Sequence, residues 1–186
     1  MLINRMKLKE MYGNQYSEEL LEKYELMESH SVMELADDTE DVETLIILSF
    51  SENSWVRMSV AENVNSPVEV LEMLSQDKSN LVQSSVAKNY NCPENILRAL
   101  FEASDPLFTG TNTYIAMNRN CPLDILYQLT LDPMPNVNEE AWINASGRGI
   151  NSIEDFQKAL AIDSLFHHRD AEEINQDNEE DEILEQ

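Results

Sequence analysis

Apolar positions in this chain fall into short groups that recur. Val70, Leu71 and Leu74 follow Pro67; Ile96, Leu97 and Leu100 follow Pro93; Ile125, Leu126 and Leu129 follow Pro122. In each case they stand three, four and seven residues after the proline, which is one face of an α-helix. An acidic residue closes each group, at Asp77, Asp105 and Asp132, the middle one displaced by two residues. A shorter apolar group stands ahead of the first two prolines: Trp55, Val56, Val60 and Ala61, then Leu81, Val82, Val86 and Ala87. The pattern therefore predicts alternating short helices, two per unit.

An eight-residue phrase joins the two helices of each unit. It reads VAENVNSP at 60–67, VAKNYNCP at 86–93 and IAMNRNCP at 115–122, with proline-to-proline steps of 26 and 29 residues. A period of this size marks a stacked-repeat protein. Proline suits the first helical position, where its missing N–H would have been unpaired in any case. The alanine slot (Ala61, Ala87, Ala116) predicts close helix contact. The asparagine two residues later (Asn63, Asn89, Asn118, Asn144) predicts a left-handed helix end. End-capping is preferred here over a ladder of polar ligand sites, because it explains the same spacing.

The register reaches outward. Asp41, Leu45 and Leu48 stand one period before the first clear copy, and Val137, Ala141 and Asn144 continue after the last. The organisation expected is an N-terminal capping region at residues 1–31, a repeat array at 32–146, a C-terminal capping helix at 147–166 and an acidic, mobile tail at 167–186. Ser17 is the expected N-cap of a helix carrying Leu20, Leu21, Tyr24 and Met27 on one face. Gly147, Arg148 and Gly149 interrupt the last unit. A helix then begins at Ser152, with Asp155 three residues on as an approximate capping box and Ile153, Phe156, Leu160 and Phe166 as its apolar face.

The unit resembles that of the leucine-rich repeat variant family, whose pattern is close to V-R-x-x-V-A-x-N followed by a proline-started helix with paired apolar residues and an Asp. The best match is Val56, Arg57, Val60, Ala61 and Asn63, then Pro67 to Asp77, and the resemblance covers residues 40–145. It implies an all-α, right-handed α-solenoid of about four short helix-pair repeats, related to HEAT and armadillo stacks, with helical caps at both ends. The arginine slot departs from the family: Arg57 is followed by Gln83, Asn112 and Asn138. Some members carry a cysteine-rich iron–sulfur segment, which is not found here. The resemblance thus transfers no catalytic or cofactor residue.

Charge changes the functional picture. The chain has 186 residues, 36 acidic and 12 basic, for a formal net charge of −24. Residues 1–41 carry −7, residues 42–162 carry −8 and residues 163–186 carry −9, so the acid is not confined to the tail. Direct nucleic-acid binding needs clustered Lys and Arg and is not expected; anionic membranes are disfavoured likewise. No apolar run is long enough for a membrane helix, and Arg5, Lys7 and Lys9 precede no signal-type run. Cys92 and Cys121 share one slot of adjacent units, about 10 Å apart and too far for a disulfide. They read as small turn residues of a cytoplasmic protein.

Catalytic patterns are thin. His30, His167 and His168 have no partners in the pattern, no phosphate loop or nucleophile elbow occurs, and no metal or cofactor is expected. The expectation is a non-enzymatic binding module for a protein with a basic surface. Its sharpest form is a nucleic-acid-mimicking decoy or inhibitor, as in a phage-type regulator. The alternative is an assembly adaptor whose charge serves solubility alone. Candidate contact residues are Glu62, Glu69, Glu72, Asp124 and the exposed-slot Tyr127, with Glu179, Glu180, Asp181 and Glu182 in the tail. Trp55 is expected in the core. Trp142 falls in the alanine slot, where a large ring fits only if the end of the stack opens.

Overall fold

The computed structural model describes residues 2–104 and 109–164. Asp105, Phe166 and the tail with Glu179, Glu180, Asp181 and Glu182 lie outside them. The protein is all-α. Its helices are α1 (Arg5–Tyr12), α2 (Glu18–Leu26), α3 (Ser29–Asp38), α4 (Val42–Ser49), α5 (Ser54–Glu62), α6 (Val68–Ser75), α7 (Asn80–Lys88), α8 (Glu94–Glu102), α9 (Gly110–Met117), α10 (Leu123–Thr130) and α11 (Pro135–Gly147). Residues 153–164 form a further helix, α12. The chain divides into two units at the Asn144–Ala145 junction.

In the first unit, α3, α5, α7 and α9 pack side by side in succession, and α4, α6 and α8 form a second row. Each of α5, α7 and α9 also packs on the two second-row helices that flank it in sequence. Most of these helices have only eight or nine residues. Isolated helices below about 12–15 residues are marginal in water, so packing must hold them. The predicted faces supply it: Val70, Leu71, Leu74, Ile96, Leu97, Leu100, Ile125, Leu126 and Leu129 are all buried, as are Ala61, Ala87 and Ala116.

The asparagines act differently from the expectation. Asn63, Asn89 and Asn118 do end α5, α7 and α9, but with extended backbone (Asn63 φ −65°, ψ 127°), and no non-glycine residue among those described has positive φ. Their amides instead bridge neighbouring units. Asn89 Nδ2 donates to the carbonyls of Ala61 (2.8 Å) and Asn63 (2.9 Å). Asn118 repeats this on Ala87 and Asn89, and Asn144 on Ala116 and Asn118. Asn63 begins the series on Ala36 and Thr39. Each Oδ1 of Asn63, Asn89 and Asn118 meanwhile accepts from the N–H two residues on, at 2.8–2.9 Å, which folds the turn. One buried side chain thus shapes its own loop and satisfies helix-end carbonyls of the preceding unit.

The prolines sit one place earlier than expected. Pro67, Pro93 and Pro122 are N-caps with extended backbone, and the helices begin after them. Three of the four occupants of the arginine slot keep one role. Arg57 donates to the carbonyls of Ser51 and Glu52, Gln83 to that of Asp77 (2.7 Å) and Asn138 to that of Thr130. Each ties its helix to the end of the preceding second-row helix, so an amide can stand in for the guanidinium. Arg57 alone adds a two-point ion pair with Asp77, at 2.6 and 2.9 Å and almost wholly buried.

Trp55 is not core. It is 53% exposed and its counterpart Leu81 48%, while Val56 and Val82 beside them are buried. Both exposed residues are second in their helices, where a side chain leaning toward the N-terminus passes beyond the neighbouring helix. Trp142 is half-buried.

The N-terminal region is more structured than its pattern suggested. Ser17 caps α2 as expected, accepting from Leu20 N–H. Residues 2–4 also lie antiparallel to residues 50–52, with Asn4 N–H on Phe50 O (2.7 Å) and Glu52 N–H on Leu2 O (2.9 Å). Arg5 holds Glu18 and Glu25. The Thr44 hydroxyl donates to Asp41 (2.5 Å), so the buried Tyr24 hydroxyl is the donor to Thr44 (2.7 Å).

In the second unit, Gly149 (φ 80°) closes a Schellman turn, with Ile150 N–H on Ala145 O and Gly149 N–H on Ser146 O. Ser152 then caps α12, accepting from Asp155 N–H, and the Asp155 carboxylate reaches back to Asn151 N–H. Phe156 is fully buried, but Ile153 is exposed, so the predicted apolar face is narrower.

Two stability outcomes are expected in urea unfolding. Asn89→Ala removes the amide donor from the Ala61 carbonyl and leaves the Asn63 carbonyl with Ser66 N–H alone; it should cost about 1–3 kcal/mol, whereas Asn91→Ala on the exposed turn should cost below about 1. Leu97→Ala should cost about 2–5 kcal/mol and Leu81→Ala well under half of that.

Candidate functional site

The second-row helices share a feature at their N-termini. Each begins after a cap in extended conformation and places a carboxylate in its first turn: Glu43 in α4, Glu69 in α6, Glu94 in α8 and Asp124 in α10. The partial positive charge of a helix N-terminus favours acids there. Because the helices recur, one preference per helix becomes a series of carboxylates across the row. In α8 the acid is the first helical residue, Glu94, with Asn95 in the second place that Glu69 and Asp124 hold in α6 and α10.

These carboxylates differ in availability. Asp124 is held by Arg98 at 2.7 and 2.9 Å, and Arg98 also reaches Glu94 at 3.3 Å. The Arg98 hydrogen bond keeps the Asp124 carboxyl below the usual Asp range despite partial burial. Glu62, on the other row, binds Lys88 (2.6 Å) and Ser85 (3.0 Å). Glu43, Glu69 and Glu72 are exposed and make no ion pair among the described residues. Of the sequence candidates, then, Glu69 and Glu72 are open to a partner, while Glu62 and Asp124 are engaged internally. Tyr127 is half-buried rather than exposed.

Two tyrosines that the sequence pattern did not single out lie within electrostatic reach of the open carboxylates. Tyr12, last in α1, meets Tyr16 edge-on with ring centroids 6.2 Å apart and Phe50 at 6.1 Å. Burial, then Tyr16, then the Glu69 carboxylate raise the Tyr12 hydroxyl above its ordinary pKa. Burial likewise raises Tyr16, with Glu43 adding to it. The structure therefore brings Tyr12, Tyr16, Glu43 and Glu69 into one neighbourhood from positions 12 to 69. No periodicity links α1 to the repeats, so no spacing rule could have found this grouping.

Other candidate chemistry resolves into structure. Cys92 and Cys121 are buried, in the slot held by Ser66. Burial pushes the Cys92 thiol up to about 12, which leaves it inert as a nucleophile. His30 is exposed, 3.2 Å from Glu34. Among the described residues no group of His, Cys, Asp and Glu could hold a metal ion, and no helix is long and apolar enough to cross a membrane. His167 and His168 lie outside the described residues. Compared with known proteins, the chain matches no family model, no curated protein and no solved structure.

The Asp124 pairing has a pH signature. A carboxyl whose folded pKa is depressed contributes stability that is complete above its unfolded value. That stability is lost as pH falls through the folded value. The stability of the parent to urea should fall from about pH 4 downward, and Arg98→Gln should flatten the acid limb while leaving the Asn ladder intact.

Proposed function

We propose that this chain is a non-enzymatic, intracellular α-solenoid of the leucine-rich repeat variant type. It would have about four right-handed helix-pair repeats and helical caps, and bind a protein partner through a basic surface. The observation that carries the reading is the neighbourhood of Tyr12, Tyr16, Glu43 and Glu69, with Glu72 beside it on α6. Open carboxylates attract Lys and Arg from a distance and raise the encounter rate. Aromatic rings give a cation a face to settle on, and tyrosine and arginine are enriched where interfaces hold most of their energy. The succession of α3, α5, α7 and α9 with inter-unit asparagines supports the solenoid.

A basic partner of the nucleic-acid-binding kind, occupied as a decoy or inhibited, is the sharpest version. The tail acids Glu179, Glu180, Asp181 and Glu182 would extend the attraction. An adaptor whose charge serves solubility alone is the second reading. It is favoured by the internal engagement of Glu62 and Asp124 and by the helix-end preference that already accounts for acids at these positions.

The test uses the full chain and a fluorescent Lys/Arg-rich peptide, titrated at rising salt, alongside capture from lysate eluted by salt. Affinity should fall steeply between about 50 and 500 mM salt. Tyr12→Ala with Glu43→Gln and Glu69→Gln should weaken it at least about tenfold, whereas Glu139→Gln should not. Equal binding by all variants would favour charge as solubility.

A further inference from the structure

Against a chain of net charge −24, one concavity runs the other way. It has a volume of about 610 Å³ and is lined from three stretches of the first unit. Asn4 and Lys7 come from the N-terminal region, Ser49 to Glu52 from the turn after α4, and Met73 to Lys78 from the end of α6 and the following turn, with Arg57 also in the lining. Its charged side chains are Lys7, Arg57, Lys78, Glu52 and Asp77, a local balance of +1. That volume is in the range of small-molecule sites, about 300–1,000 Å³.

The hydrogen-bond inventory says what is missing there. The acceptors of the lining are largely engaged. Phe50 O accepts from Asn4 N–H, Ser51 O and Glu52 O from Arg57, and Asp77 O from Gln83. The Asp77 carboxylate accepts from Arg57 twice and from Ser79 N–H, and Asn4 Oδ1 accepts from Lys7 N–H. This matters because two helices end at the concavity, and their open carbonyls would otherwise repel an anion. Donors, in contrast, are left over. Among the described residues neither the Lys7 nor the Lys78 ammonium has an ion-pair partner, in a chain with three carboxylates for every base. Arg57 has five N–H groups and engages four, leaving one on Nη2. Its guanidinium is held rigid at both ends, by Asp77 and by the Ser51–Glu52 turn, so that remaining donor has a fixed direction.

We infer that this concavity is a binding site for a small ligand bearing an anionic oxygen group, phosphate or carboxylate, received by Lys7 and Lys78 with Arg57 at the edge of the lining. A rigid guanidinium and two mobile ammonium groups form the donor set that such a group accepts from. Glu52, the one carboxylate of the lining with no donor, sets a limit: the ligand presents a single anionic group and a neutral or donor-bearing remainder rather than several charges. The concavity adjoins the tyrosine–carboxylate neighbourhood through Phe50, which lines it and meets Tyr12, but shares no charged residue with it, and the inference stands whether or not that surface binds a basic partner.

The test is titration of the full chain with inorganic phosphate, and separately with acetate, at constant ionic strength balanced by chloride. Amide chemical shifts and the thermal midpoint are followed. The expected result is a saturable response centred on residues 4–7, 49–52, 57 and 73–78, which separates the phosphate from the carboxylate case by relative affinity. Lys7→Gln with Lys78→Gln should weaken it at least about tenfold. Lys78→Arg should keep it, and Lys88→Gln, which removes a lysine outside the lining, should leave it unchanged. Midpoints of the variants in chloride alone report folding, and both lysines are solvent-facing. A response that does not saturate, that spreads over all lysines, or that survives the double substitution would overturn the site.

Discussion

A buried primary amide that serves two units at once is the interaction on which the rest of this structure depends. Helices of eight or nine residues leave much of their backbone at the ends unpaired. In this fold the end of one first-row helix is satisfied by the asparagine of the next unit, at 2.8 and 2.9 Å for both Asn89 and Asn118. The same side chain bends its own loop through Oδ1. Loop shape and inter-unit register are therefore set by one residue. Neither a longer side chain nor aspartate could repeat it, because aspartate lacks the donor and glutamine would displace it.

The second row follows from the first. Once the asparagine has turned the chain, proline fixes an extended residue, and the next helix starts with its positive end outward. Acids are favoured at that position, and the repeat multiplies the preference into Glu43, Glu69, Glu94 and Asp124. Such a row repels itself, and Arg98 relieves part of it by joining Asp124 and Glu94. Where no base intervenes, at Glu43 and Glu69, the charge remains available, with Tyr12 at the end of α1 and Tyr16 in the turn after it within electrostatic reach. These open carboxylates and tyrosines thus come together where a non-repeated segment meets the repeated helices.

Much of the fold was legible in the sequence. The apolar triplets after each proline named core residues correctly, because a helix facing a neighbour must bury positions three and four apart. The alanine slot and the outer register at Leu45 and Asn144 were equally readable. The asparagine was recognised by position but assigned a left-handed cap, since sequence spacing reports that a residue recurs and not which atom it bonds. Trp55 was misplaced because its hydrophobicity outweighed its position next to a helix start. Of the candidate contact residues, Glu69 and Glu72 are exposed as expected, while Glu62, Asp124 and Tyr127 were credited with an openness that partners and packing remove.

The sequence by itself determined the alternation of short helices, their apolar faces, the repeated turn and the acidic balance, because each is encoded within one period of the chain. Only the tertiary structure decided which carboxylates stay unpaired, that residues 2–4 pair with residues 50–52, and that Lys7, Arg57 and Lys78 share one concavity. These depend on contacts between segments with no common period. Their energies come from burial and pairing across space, which no local pattern records.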